Sequence, residues 1–162
     1  MTDQTAVPAH LLPHRTPAQL LTMARQGLAE AAATEAVGLR YAAAHMAALR
    51  AAAAVLASRA RPPAVTNRQE RRRVPGVWVQ LAQVAPELAE WATHFATTAS
   101  TRAAAETGIP EVVTGQDADD MLRTAGEFVG LVDRELGGLP IVPWVAPGYL
   151  IGRTDAGEAV TR

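Results

Sequence analysis

Apolar positions recur every three or four residues in four segments of the chain, a spacing that predicts amphipathic helices. The connections between the segments are mostly short, so neighbouring helices are expected to run antiparallel. The pattern therefore predicts an all-α, up-and-down four-helix bundle. Its helices are expected at about residues 17–35, 37–59, 77–107 (broken near Pro86) and 117–136.

Capping signals mark the starts of two of these helices. Thr16-Pro17-Ala18-Gln19 has the composition of a capping box, with proline at the first helical position. Thr114, followed three residues later by Asp117, predicts the start of the last helix, and Gly137-Gly138 is expected to end it.

The predicted second helix is apolar around most of its circumference, which is typical of a central helix or of one covered by another subunit. We distinguish two stripes on it. The first has apolar residues at alternating steps of three and four, which predicts a seam packed against near-parallel neighbouring helices of the bundle. Its members are Leu39, Ala42, Met46, Leu49, Ala53 and Leu56. The second lies roughly 90° further around the helix and is interpreted as a subunit interface, which predicts a homodimer. Its members are Tyr41, His45, Ala48, Ala52 and Val55.

The bundle is expected to form one domain over residues 17–137. Residues 1–16 are polar and contain two prolines, so they are predicted to be a disordered lead-in. Residues 138–162 are predicted to be an irregular, proline-rich segment. Its apolar part, Leu139–Ile151, is expected to dock either on the bundle or on a protein partner.

Composition narrows the class of protein further. The 162 residues include 35 alanines, which favour helix, and only 4% aromatic residues. Without cysteine there is no disulfide scaffold and no cysteine zinc site. The net charge of -1 argues against a globally basic nucleic-acid binder. Neither a signal-peptide pattern nor an 18-residue apolar run is evident, so we expect a cytoplasmic protein without membrane contact.

The arginines are unevenly distributed. Of the fifteen, six fall between residues 59 and 73, a stretch with a single acidic residue, Glu70. The loop predicted at 61–75 is interpreted either as a solvated, mobile connection or as a phosphate or nucleic-acid contact. The second interpretation assigns phosphate binding to Arg68, Arg71, Arg72 and Arg73.

Familiar catalytic motifs are missing from the sequence. It has no cysteine nucleophile, no glycine-rich phosphate loop and no G-x-S-x-G turn. It also lacks the E-x-x-H pairs of di-metal bundles, so we expect no metal and no cofactor.

Three segments in order carry a resemblance to a known family. They are Arg40-Tyr41…Ala44-His45…Ala48–Ala53, then Val84–Leu88…Trp91…Phe95…Arg102–Ala105, then Ala118–Arg123. Over about residues 17–137 the chain resembles HEPN domains (higher eukaryotes and prokaryotes nucleotide-binding), which are small all-helical bundles. It looks most like the stand-alone HEPN proteins of actinobacteria.

The resemblance also implies candidate chemistry. Many HEPN proteins are metal-independent ribonucleases that work as dimers with an R-x4-6-H motif, to which Arg40 and His45 correspond formally. In that chemistry the arginine binds the scissile phosphate and the histidine moves the proton of an attacking 2′-hydroxyl. Arg102 lies where the family's motif usually occurs, but no histidine follows it before Gly108.

Three functions follow as hypotheses. The first is a non-catalytic module that acts as a dimer and binds a nucleotide, RNA or a protein. The second is a toxin-like HEPN endoribonuclease that uses Arg40 and His45, with a cognate protein partner as in toxin–antitoxin pairs. The third is a structural bundle that recruits a protein partner.

Overall fold

The fold is a bundle of α-helices packed around a central helix. The computed structural model describes residues 15–59 and 75–137. These residues form α1 (Pro17–Ala33), α2 (Val37–Arg59), α3 (Val77–Val84), a 3₁₀ turn (Pro86–Leu88), α4 (Ala89–Glu106) and α5 (Gly115–Glu135). The predicted all-α bundle is confirmed. Residues 1–14, nearly all of the predicted arginine loop and residues 138–162 lie outside the described part of the chain.

Both predicted capping boxes are present. The Thr16 hydroxyl accepts from the backbone N–H of Gln19 at 3.1 Å, and the Gln19 side chain accepts from Thr16 N–H at 2.9 Å. Thr114 and Asp117 make the same reciprocal pair at 3.1 and 2.7 Å. Because Thr114 is itself the cap, α5 begins at Gly115, two residues before the predicted start.

The predicted third helix is divided at Pro86. Proline has no N–H to donate to the preceding turn, so α3 ends at Val84. Ala85 leaves the helical conformation, with φ -131° and ψ 75°, and the chain re-enters helix through the 3₁₀ turn. The break lets the short α3 lay Trp78 and Leu81 into the core separately from α4.

The core combines a small-residue helix with a cluster of aromatic rings. α2 packs against α1, α3, α4 and α5. Trp78 stacks on Phe95 with ring centroids 5.0 Å apart, and Phe128 of α5 lies 5.4 Å from Phe95 and 5.5 Å from Trp91. Except for Tyr41, His45 and Val55, the side chains that α2 buries are alanine: Ala42, Ala44, Ala47, Ala48, Ala51, Ala52 and Ala54.

Ionic contacts join elements that are distant in sequence. Asp133 of α5 is fully buried and pairs with Arg25 of α1. Arg59, the last residue of α2, contacts Glu87 of the 3₁₀ turn and Glu135 of α5, the latter at 3.0 Å. The ends of α2 and α5 therefore lie side by side.

Candidate functional site

His45 of α2 lies inside the bundle. Its side chain is 1% exposed and packs edge-on against the rings of Trp78 and Phe95, with centroids 5.9 and 5.6 Å away. Nε2 lies 2.9 Å from the backbone carbonyl of Phe95, and since a carbonyl only accepts, Nε2 carries the proton. Nδ1 is buried without a hydrogen-bond partner.

The surroundings of His45 keep the ring neutral. Burial lowers its pKa below the ordinary 6.5, and the hydrogen bond to Phe95 opposes this in part. The charge of Arg102 lowers the pKa of His45 further. A neutral ring enclosed by aromatic side chains has no path to a 2′-hydroxyl in solvent. The geometry of His45 therefore does not support the catalytic role expected of it.

Arg40 is held away from His45. Two residues five apart on a helix point roughly 140° apart, and Arg40 faces the start of α5, where it pairs with Asp119 at 3.2 Å. Its side chain is 20% exposed, and Nε is buried without a hydrogen-bond partner. The structure thus does not bring the two residues of the expected Arg–His motif together.

Arg102 of α4 is engaged within its own helix. It pairs with Glu106, one turn further on, at 2.6 Å. Its charge reaches His45, as the lowered pKa of that ring indicates, but its guanidinium is neutralised by a carboxylate. The other predicted phosphate ligands, Arg68, Arg71, Arg72 and Arg73, lie outside the described residues.

The stripe interpreted as a subunit interface is buried within the chain. Tyr41 and His45 are at most 5% exposed, and the three small residues of the stripe are fully buried. The interface predicted at Tyr41, His45, Ala48, Ala52 and Val55 was therefore wrong, because the other helices of the same chain cover these side chains. The assignment failed because α2 has apolar residues on nearly all sides, so no polar face indicates which stripe turns inward.

The other stripe of α2 is the one left uncovered. Of the six residues predicted to form the bundle seam, Ala42 is buried, Leu39 is 53% exposed, and the rest are partly exposed. We call the incompletely covered members the outer stripe: Leu39, Met46, Leu49, Ala53 and Leu56. The stripe predicted to form the bundle seam is therefore the less buried of the two.

A shallow cavity of about 280 Å³ opens between α4, α5 and the connection between them. Hydroxyl groups, two carboxylates and the imidazole of His94 supply its polar lining, and no arginine is among the lining residues. Burial raises the pKa of the Tyr41 hydroxyl at its edge, opposed by the Thr98 hydroxyl and reinforced by the charge of Asp117. The cavity is lined by Tyr41, His94, Thr98, Thr101, Val112, Val113, Asp117, Asp120, Met121 and Thr124.

The acidic cavity does not suit a phosphate group, because its carboxylates would repel one. Asp117 and Asp120 are also already engaged, with Thr114 N–H and with Arg123. Sequence reasoning missed this site because its residues come from three helices and a connection. Only the polar face of α4, with His94 and Thr101, gave a local signal. In the part of the chain that the structure describes, no three His, Asp or Glu side chains could hold a metal ion.

Comparison with protein families identifies the chain. A sequence model of the HEPN_SAV_6107-like HEPN family matches residues 31–133, which spans α2 to α5 and the end of α1. The chain belongs to the HEPN superfamily. Neither the curated proteins nor the solved structures contain a match to this sequence.

The HEPN match includes Arg40, His45 and Arg102, so these three residues lie within the HEPN domain of this chain. The domain's central helix, α2, is long and apolar enough to cross a bilayer by length and composition. However, 61% of its most apolar 18-residue window is buried inside the fold. It is the one such helix among the described residues, and it serves here as the core of the HEPN bundle.

Proposed function

We propose that this HEPN protein is a non-catalytic binding module that acts as a dimer through protein–protein contacts. The observation that carries the proposal is the outer stripe of α2, a row of apolar side chains that the bundle leaves partly uncovered. Contiguous apolar patches on folded proteins commonly mark interaction sites.

The non-catalytic part of the proposal is supported by the state of His45 and Arg40. A general base must reach the proton that it removes, whereas His45 is buried and donates to the Phe95 carbonyl. A phosphate-binding arginine needs a free fork, whereas Arg40 pairs with Asp119. A ribonuclease would have to rearrange both groups.

The enzymatic alternative is tested by incubating the full chain with single-stranded RNA in EDTA. We expect no cleavage above the buffer control. Cleavage that Arg40→Ala or His45→Gln abolishes would overturn the non-catalytic assignment. Arg123→Ala removes an arginine that pairs with Asp120 on the surface of α5, so it is the matched control.

The dimer is tested by light scattering over a range of protein concentrations. We expect the mass to rise toward twice the 17.1 kDa of one chain. A mass that stays at 17.1 kDa up to the highest soluble concentration would contradict the proposal.

RNA or nucleotide binding is a second candidate, favoured by the six arginines between residues 59 and 73. Binding of labelled single-stranded RNA at low salt, measured by fluorescence anisotropy, tests it. Loss of binding in the combined variant Arg71→Ala, Arg72→Ala, Arg73→Ala would favour this candidate. Unchanged binding in the triple variant would show that these arginines do not contact the RNA.

A further inference from the structure

We infer that two copies of this chain pair antiparallel through the outer stripe of α2, around a two-fold axis that lies between the copies at the level midway between residues 47 and 48. The inference rests on the proposed dimer and names its surface, its register and its partner, a second copy of the same chain.

The spacing of the stripe is symmetric about that axis. In an antiparallel pair centred between residues 47 and 48, Leu39 of one copy faces Leu56 of the other, and Met46 faces Leu49. Ala53 is level with Ala42 of the other copy, which is only 5% exposed, so this third pair adds little contact area. A two-fold interface requires the same patch to complement itself, and this stripe meets that requirement.

The alternating steps of three and four also suit helix pairing. They are the spacing with which apolar side chains of one helix insert between those of a second, near-parallel or antiparallel helix. Among residues 15–59 and 75–137, no helix fully covers this side of α2, since Leu39 is 53% exposed and the other four members of the outer stripe remain partly exposed.

Gly27 of α1 leaves space for the Arg50 side chain beside the stripe. Arg50 extends across this glycine, and a Cβ placed there would lie 2.9 Å from the Arg50 Nη1. The guanidinium thus leans over α1, and the outer stripe itself stays uncharged. A second copy would meet an apolar row with arginine only at its rim.

The same register gives Arg50 a partner. Gly27 lies level with Ala47 of α2, since its Cβ would be 3.4 Å from the Ala47 Cβ. Glu30 follows Gly27 by three residues in α1. Because α1 and α2 are antiparallel, Glu30 lies about level with residue 44 of α2. The two-fold axis then brings the other copy's Glu30 level with residue 51 of the first. Within the described part of the chain, neither Glu30 nor Arg50 has an ion-pair partner, so the dimer places opposite charges at its rim.

Because the natural sequence has no cysteine, single cysteines report the register directly. Leu39→Cys and Leu56→Cys are made separately, given tags of different size, mixed in equal amounts and cross-linked by oxidation and by a short bismaleimide. Antiparallel pairing places the two different cysteines face to face, while identical ones lie ~25 Å apart. We expect about tenfold more cross-linked heterodimer than either homodimer, since a disulfide needs Cα atoms within about 7 Å.

The outcomes separate this inference from the proposed function. A dimer by light scattering whose identical cysteines cross-link, or whose mixed cysteines do not, overturns the register and leaves the dimer standing. A strict monomer overturns both, and it points to another occupant of the stripe, such as residues 139–151 or a different protein.

A second measurement checks the surface without cross-linking. Met46→Glu and Leu49→Glu each place a carboxylate opposite its neighbour in the other copy, and we expect at least about a tenfold weaker dimer by light scattering. Val79→Glu, at a valine of α3 that is 52% exposed, is the matched control and should dimerise like the natural chain. Circular dichroism verifies that each variant is folded. Folded Met46→Glu and Leu49→Glu variants that dimerise normally would overturn the inference.

Discussion

Arg25 and Asp133 form an ion pair whose two members have very different environments. The side chain of Asp133 is fully buried, whereas that of Arg25 is 44% exposed. Arg25 donates to Oδ1 of Asp133, and Oδ2 has no hydrogen-bond partner in the described residues. The arginine thus brings its charge from the surface to a carboxylate that cannot reach water, and it ties α1 to α5.

The pair predicts a large effect when the arginine alone is removed. Arg25→Met leaves a buried carboxylate without its partner, and we expect the free energy of unfolding to fall by about 3 kcal/mol. The double variant Arg25→Met/Asp133→Leu should recover most of this loss, since no charge is then left buried. Urea denaturation followed by circular dichroism measures both.

A surface pair is the control for this prediction. Arg123 pairs with Asp120, whose side chain is 44% exposed, and Arg123→Met should cost less than about 1 kcal/mol. Equal losses for the two arginine variants would show that the burial of Asp133 has no energetic consequence.

His45 predicts a dependence of stability on pH. Its pKa is lowered in the folded state, so below about pH 6.5 the unfolded chain binds a proton at this residue that the folded chain does not. The free energy of unfolding is therefore not reduced by this residue above about pH 6.5. It decreases as the pH falls toward the folded-state pKa of His45, with a slope of at most about 1.4 kcal/mol per pH unit. Urea denaturation between pH 7.5 and 5.5 measures this slope.

Substitution assigns the slope to one histidine. His45→Gln keeps a donor for the Phe95 carbonyl without a titrating ring, and it should flatten the profile in this range. His94→Gln removes an exposed histidine whose charge contributes to the lowered pKa of His45, so it should lessen the slope without abolishing it. The lowered pKa values of Glu87 and Asp117 act below about pH 4.5, outside this window. An identical slope in His45→Gln would contradict the assignment.

Two helical glycines predict opposite effects of the same substitution. A Cβ on Gly38 would lie 3.0 Å from the backbone oxygen of Ala105, so Gly38→Ala must push α2 away from α4. Overpacking of this kind costs about 1–3 kcal/mol and outweighs the ~1 kcal/mol gain in helix propensity. On Gly130 a Cβ would make only an ordinary contact at 3.8 Å, so Gly130→Ala should stabilise the protein by about 0.5–1 kcal/mol.

Thermal or urea unfolding of the two alanine variants is the measurement. The natural chain is the reference for both, and opposite signs are expected. A stabilising Gly38→Ala would mean that the two helix backbones separate at little energetic cost.

Sequence patterns predicted the elements of this fold better than their orientation. The reciprocal bonds of Thr16 with Gln19 and of Thr114 with Asp117 are local, so they could be predicted from spacing alone. The inward face of α5 was equally predictable, because charged residues occupy its other side. In α2, alanine occurs on almost every side, and burial depends on where the neighbouring helices lie. The sequence pattern does not contain that information, and this is why a buried stripe was interpreted as a subunit interface.

The candidate site was harder still. His45 was expected beside Tyr41 at a subunit interface, whereas it is buried, and the carbonyl that it contacts belongs to Phe95, fifty residues away. The ion pair between Arg25 and Asp133 joins residues 108 positions apart. Contacts of this range depend on the packing of whole helices, so no local motif predicts them.

The alanine-rich interior of α2 has a consequence for how the folding free energy is distributed. An alanine side chain has no rotamers to lose on burial, so ordering this helix costs almost no side-chain entropy. Each alanine also removes little apolar surface from water, whereas a buried aromatic ring removes about 150–250 Å². Per residue, more of the hydrophobic driving force therefore comes from the large buried side chains of the other helices, among them Trp78, Phe95 and Phe128. The central helix α2 contributes mainly by allowing the other helices to pack close to it.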